Sequence, residues 1–123
     1  MTARTAEIAR LLTAINELER AAGENVQRSL EIQRRVAALR HDLDEGSSLV
    51  DIVSKEPSPR IVELLSTNMA TLETAGAEMR AAQALALRAE GLTIEAIAEL
   101  FGVTRQRISA LLRQKAAVDP SFD

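Results

Sequence analysis

No cysteine, tryptophan or tyrosine occurs in these 123 residues, and there are only two phenylalanines and one histidine. Without cysteine the chain has no disulfide and no thiolate nucleophile or ligand, which fits a reducing cytoplasm. Phe101 and Phe122 are too few to build the stacking platform of an RNA or single-strand binder. His41 has no second histidine to relay a proton or share a metal, and beside Asp42 and Asp44 it reads as solvated surface. The five glycines form no phosphate-cradling loop. No apolar run approaches the roughly 20 residues of a membrane span. The opening MTARTAEIARLL carries Glu7 inside its apolar pattern, so it does not read as a signal peptide. These absences point away from an enzyme, a cofactor, a metal site and a membrane protein.

What is present favours helix. Apolar residues make up 46% of the chain, much of it alanine and leucine, and charged residues 27%. The net charge of −3 argues against a uniformly basic surface. The charge is uneven, however. Residues 1–76 hold nine Lys/Arg and twelve Asp/Glu, whereas residues 104–115 hold Arg105, Arg107, Arg113 and Lys115 and no acid. A local basic strip on an acidic body is enough to meet phosphate at one surface.

From Ile8 to Leu43 an unbroken series steps by three and four: Ile8, Leu11, Ile15, Leu18, Ala22, Asn25, Ser29, Ile32, Val36, Leu39 and Leu43. This is a heptad seam over about five heptads. Its middle is weak, and Gly23 there costs a helix about 1 kcal/mol. A hairpin broken near AAGEN competes with one helix of roughly 55 Å. The seam keeps its phase across Gly23, which a turn has no reason to preserve, so one long helix is expected. Ile8, Leu11, Ile15, Leu18, Ile32, Val36, Leu39 and Leu43 are the candidates for homodimerisation. Packing on the chain's own helix beyond residue 59 is the alternative. Asn25 either sets register or marks a weak spot.

HDLDEGSS ends this helix at Gly46, and Ser48 with Asp51 caps a short helical turn. Pro57 and Pro59 break the chain; Ser58 as cap and Pro59 as first residue open the next helix. That helix runs to Gly91 with a kink possible at Gly76. Its expected apolar face is Ile61, Leu65, Leu72, Met79 and Leu85, and Met69 and Met79 read as core fillers. No strand pattern or repeat is evident. The expected organisation is all-α. A dimerising heptad helix spans 1–46 and a linker with a Pro-rich break and connecting helix spans 47–76. A bihelical domain at 77–115 and a disordered tail at 116–123 follow.

The bihelical unit is GLTIEAIAELFGVTRQRISALLR, residues 91–113. Counting from Ile94, Ile97 and Ala98 fall fourth and fifth, Gly102 ninth, Ile108 fifteenth and Leu111 eighteenth. Ala98 must be small because the second helix crosses above it. Gly102 supplies the positive φ of a tight turn. Thr93 and Thr104 cap the two helices. Ile97, Phe101, Val103, Ile108 and Leu111 are expected to form the corner's core. At 100° per residue, Gln106, Ala110 and Arg113 point away from that core, flanked by Arg105, Arg107, Ser109 and Gln114.

The stretch ALALRAEGLTIEAIAELFGVTRQRISALLR resembles the C-terminal helix-turn-helix of bacterial sigma factors and regulators related to it. The resemblance covers about residues 77–115, a third of the chain, and nothing in it matches a sigma factor's promoter-melting region. It implies binding of double-stranded DNA in the major groove, not sigma activity. By that likeness Arg105 and Gln106 are candidates to read base edges and Ala110 to touch a thymine methyl. Arg107, Arg113 and the amides after Thr93 and Thr104 are candidates for phosphate. The implied function is a dimeric, sequence-specific transcription regulator in the cytoplasm, at the nucleoid. The competing reading is an acidic helical adaptor that binds RNA polymerase or another protein through its heptad helix.

Overall fold

The computed structural model describes residues 3–118. Five helices follow in order: α1 Ala3–Asp44, α2 Leu49–Ser54, α3 Ile61–Ala89, α4 Ile94–Phe101 and α5 Arg105–Val118. Among the described residues there is no strand, so the chain is all-α. Helix α5 extends into the stretch read as a tail; residues 119–123 lie outside the described part. Two compact units are formed. One joins Met1–Glu19 with Thr74–Asp123, and the other is Arg20–Glu73.

Helix α1 is continuous through Gly23, as its phase-keeping seam predicts. A Cβ built on Gly23 meets no atom within 4 Å, so this position is open to solvent and the glycine weakens the helix without bending it. Helix α1 ends at Gly46, whose φ is +89°, and the amide of Ser47 reaches back to the carbonyl of Asp42 at 3.0 Å. Ser48 caps α2, its hydroxyl accepting from the amide of Asp51 at 3.1 Å. The cap expected at Ser58 is not formed. The Ser58–Pro59 peptide is cis, and α3 begins only at Ile61. Its first amide donates instead to Glu56 Oε1 at 2.6 Å, so a carboxylate ahead of the prolines caps the helix.

In the unit Arg20–Glu73, α1 and α3 run antiparallel. Asn25 Nδ2 donates to the Asn68 carbonyl at 3.0 Å. Further along α1, Arg35 Nη1 donates to the carbonyls of Pro57 (3.1 Å) and Pro59 (2.6 Å), which precede Asn68 in the chain. Arg28 Nη1 bridges Asn25 Oδ1 and Asn68 Oδ1 at 3.0 and 3.1 Å, and Asn68 Nδ2 donates to Ser29 Oγ at 3.2 Å. Asn25 is therefore a buried polar partner of α3, fixing the register of the two helices through a satisfied network. At the far end of this unit, Leu39 of α1 shares a hollow with Ile52 of α2, Pro57 and Ile61. That end of α1 is thus covered by α2 and the segment before α3, not left wet as helix lengths alone imply.

The covered faces differ from the expected ones. On α1, Leu11, Leu18, Asn25, Ile32 and Leu39 of the seam are buried or half-buried, and so is Ile8, whereas Ile15, Val36 and Leu43 are exposed. Ala14, Ala21, Arg28 and Arg35 fill the alternate positions of the covered stripe. On α3 the expected face holds at Ile61, Met79 and Leu85, which are half-buried, and is displaced between them. Leu64, Asn68, Thr71 and Ala75 are covered, while Leu65, Leu72 and Met69 are exposed. Small and polar residues let helices approach closely, so the contact falls on them and the bulkier side chains stand one step round. Met69, read as core filler, is 72% exposed.

The other unit has the corner's core. Ala81 and Ala84 of α3 meet Ile97 and Ala98 of α4 and Ile108 and Leu111 of α5, with Leu87, Leu92, Ile94, Phe101 and Leu112 around them. Ile97, Ile108 and Ala84 are fully buried. Alanines on α3 leave room for both following helices to seat their isoleucines.

Candidate nucleic-acid interface

Three local devices hold α4 and α5 at their angle. Thr93 Oγ1 accepts from the amide of Ala96 at 3.1 Å and Thr104 Oγ1 from the amide of Arg107 at 3.1 Å, so each threonine caps its helix. Between them Gly102 sits at φ 68°, ψ 33°, and the amide of Val103 donates to the carbonyl of Ala98 at 3.0 Å. This is a left-handed helix end with the chain folded back across it. The same device closes α3, where Gly91 has φ +102° and the amide of Leu92 reaches the carbonyl of Leu87 at 3.1 Å. Val103 departs from expectation. It is 41% exposed, because the chain has just turned outward at Gly102.

With Ile108 and Leu111 buried beneath, α5 presents Arg105, Gln106, Ala110 and Arg113 to solvent, and Ser109 is half-buried beside them. Arg105, Gln106, Ser109 and Arg113 line one shallow hollow of about 340 Å³. Two of the candidate base readers, Arg105 and Gln106, therefore share one surface with Ser109 and with Arg113, a phosphate candidate. Arg107 lies apart. It lines a second hollow, of about 280 Å³, with Arg80 and Gln83 of α3 and with Phe101, Val103 and Leu111. Arg80 and Gln83 are not among the residues the sequence singles out. Their signal is weak, since α3 is polar at many exposed positions and only the fold brings these two beside Arg107.

One feature of the strip changes in three dimensions. Residues 104–115 carry no acid in sequence, but Glu95 in the first turn of α4 holds Arg105, Oε1 to Nη1, at 3.0 Å. Both side chains are about two-thirds exposed, 63% and 64%. Such a pair is worth well under about 1 kcal/mol to stability. Its effect is positional: it draws the Arg105 guanidinium toward the N-terminus of α4 and sets a carboxylate near a helix end that would otherwise favour anions.

Elsewhere the chain offers little chemistry. Among the described residues no cluster of three or more His, Cys, Asp or Glu is placed to hold a metal, and His41 is exposed at the end of α1. No described helix is long and apolar enough to cross a membrane.

Two short helices, a left-handed glycine between them, two threonine caps and a polar-basic outward face on the second helix make a helix-turn-helix. Residues 76–117 match the family model of a homeodomain-like domain. The match begins within α3 and takes in all of α4 and nearly all of α5. No curated protein and no solved structure matches the chain. The homeodomain-like domain is a helix-turn-helix type of motif and supports DNA binding by this part of the chain.

Proposed function

We propose that the chain is a sequence-specific regulator of transcription that binds double-stranded DNA as a homodimer, in the cytoplasm, at the nucleoid. The observation that carries this reading is the single exposed surface on which Arg105, Gln106, Ser109 and Arg113 converge. Helix α5 enters the major groove. Arg105 pairs with a guanine and Gln106 with an adenine, Ser109 bonds a base edge or phosphate, and Ala110 meets a thymine methyl. Arg107 and Arg113 contact phosphates, and the first-turn amides after Thr93 and Thr104 that the caps leave open face the backbone as well. Arg80, beside Arg107, extends that phosphate track. Pairing through α1 brings two copies of α5 to half-sites about 34 Å apart, or a multiple of it.

Selection of bound duplexes from a random pool, followed by titration of variants, tests the reading. Arg105→Ala lowers affinity for the selected site by about 1–3 kcal/mol and relaxes preference at one base pair. Arg107→Ala weakens selected and random duplexes alike and reduces the salt slope by about one. If the double variant binds a selected site as the wild type does, α5 does not face DNA in this way.

A further inference from the structure

The unit Arg20–Glu73 has two unlike faces. Its covered positions include Ala21, Asn25, Arg28, Ile32 and Arg35 on α1 and Leu64, Asn68 and Thr71 on α3, with Glu24 and Glu31 half-buried at the edge of this stripe. One residue toward the C-terminus turns about 100° around each helix. On α1 that step gives Ala22, Val26, Ser29, Gln33 and Val36; on α3 it gives Leu65, Met69 and Leu72, with Val62 one turn before. All nine are exposed and none is charged. One residue toward the N-terminus gives Glu24, Gln27, Glu31 and Arg34 on α1 and Glu63, Thr67 and Ala70 on α3. The ion pairs Arg20–Glu24 (2.9 Å) and Glu31–Arg34 lie on that second side. Because the two helices are antiparallel, the same sense of rotation about each chain direction carries both stripes to one side of the layer. The Ser29–Asn68 hydrogen bond, made from the first stripe, agrees with this placement.

We infer that this uncharged face of the Arg20–Glu73 hairpin is where a second copy of the chain docks, two hairpins closing face to face into a two-layer bundle of four helices. The inference rests on the homodimer reading above and names its surface. Val26, Val62 and Met69 are 56%, 66% and 72% exposed, and Val36, Leu65 and Leu72 are 37%, 46% and 41%. At roughly 100 Å² of apolar area per large aliphatic side chain, their exposed part is on the order of 300 Å². A patch of that size on a monomer is commonly functional. Ala22, Ser29 and Gln33 lie between them and extend the face toward the roughly 600 Å² per partner at the lower end of specific interfaces. A two-fold interface sets a patch against its own copy, so charge of one sign repels itself; this patch carries none. A partner recognised through charge finds nothing here to pair with, and the charged side of the same layer is already occupied by its own ion pairs.

Sedimentation of the full chain with Val26→Glu/Met69→Glu tests the face, since both positions are exposed and the fold does not need them. The wild type sediments as a dimer at micromolar concentration. The double variant runs as a 13.4 kDa monomer with unchanged helical circular dichroism, its dimer affinity reduced at least 100-fold. Because the chain has no cysteine, single-cysteine variants give a second measurement that does not depend on the charged pair folding. Met69→Cys is joined into dimers by a short bis-maleimide, and Glu63→Cys, on the charged side, is not. A wild-type monomer overturns the homodimer reading and this face together and leaves the α5 surface untouched; a different protein on the face would give that result. A wild-type dimer that survives the double substitution, or that cross-links equally from both cysteines, overturns the face alone.

Discussion

Gly102 gives a test of the corner in which three substitutions must fall in a fixed order. Its backbone is left-handed, φ 68° and ψ 33°, and a Cβ built on it meets no atom within 4 Å. Substitution here therefore creates no clash with the rest of the protein, and its cost is conformational alone. An alanine held in that region costs about 1–2 kcal/mol. Valine costs more, on the order of 2–3 kcal/mol, because a branched Cβ is a genuine outlier at positive φ. Asparagine, which visits the left-handed region readily, costs less than alanine despite its larger side chain. The expected order of destabilisation is Val > Ala > Asn, with melting temperature falling roughly 3–5 °C per kcal/mol for a chain of this size. Gly102→Val also loses DNA affinity, since this turn, its cap and the core around Ile97, Ile108 and Leu111 set the angle of α5. Thermal melts of the three variants decide the matter. An order that follows side-chain volume, or no change with valine, refutes a left-handed Gly102.

Glu95→Gln removes the carboxylate that holds Arg105 at 3.0 Å. Stability should change by less than about 1 kcal/mol, while affinity for all duplexes rises severalfold at low salt and the gain fades at high salt; a loss of affinity would mean that Glu95 orients Arg105 for binding. Arg35→Ala removes the two donations to the Pro57 and Pro59 carbonyls and should destabilise the unit Arg20–Glu73 by about 1–2 kcal/mol in urea melts. The hydrogen bonds of Arg34 first, then Arg35, hold the Glu31 carboxyl below the ordinary carboxylate range. A carboxylate depressed in the folded state contributes stability above its unfolded pKa and loses it as pH falls through the folded one. By NMR titration Glu31 should move up toward its ordinary value in both arginine variants, and further in Arg34→Ala than in Arg35→Ala.

The corner was legible because each of its demands falls on a particular residue type at a particular distance. A left-handed turn asks for glycine, a helix start asks for threonine, and a crossing over α4 asks for a small residue at Ala98. Gly102, Thr93, Thr104 and Ala98 answer at the right spacing. The long α1 was legible for a related reason: the heptad phase runs through Gly23 undisturbed. Two things were not. The α3 start depends on Glu56 reaching past a cis Ser58–Pro59 bond to the amide of Ile61, and no spacing rule encodes that reach. The Glu95–Arg105 pair joins residues on two helices, so an acid-free stretch of sequence does not remain acid-free once α4 and α5 are brought together.

The heptad seam shows why pattern alone could not say what α1 packs against. Leu11, Leu18, Asn25, Ile32 and Leu39 belong both to the large-residue seam and to the stripe that the fold covers. Of the seam's other members Ile8 is half-buried and Ile15, Ala22, Ser29, Val36 and Leu43 are exposed, and the covered alternates are Ala14, Ala21, Arg28 and Arg35. One series of positions therefore serves two faces a single residue apart. Counting aliphatics weights the seam toward Ile15 and Val36, whereas close approach of two helices selects Ala14 and Ala21, and a satisfied polar layer selects Asn25 and Arg28. Helix α3 makes the same choice, with Leu64 and Asn68 inward and Leu65 and Met69 outward. The docking face proposed above calls for bulky apolar side chains on the outer edge of both helices. Their agreement in position on two separate stretches of sequence is what an intrachain hairpin needs if it must also present a face to something else.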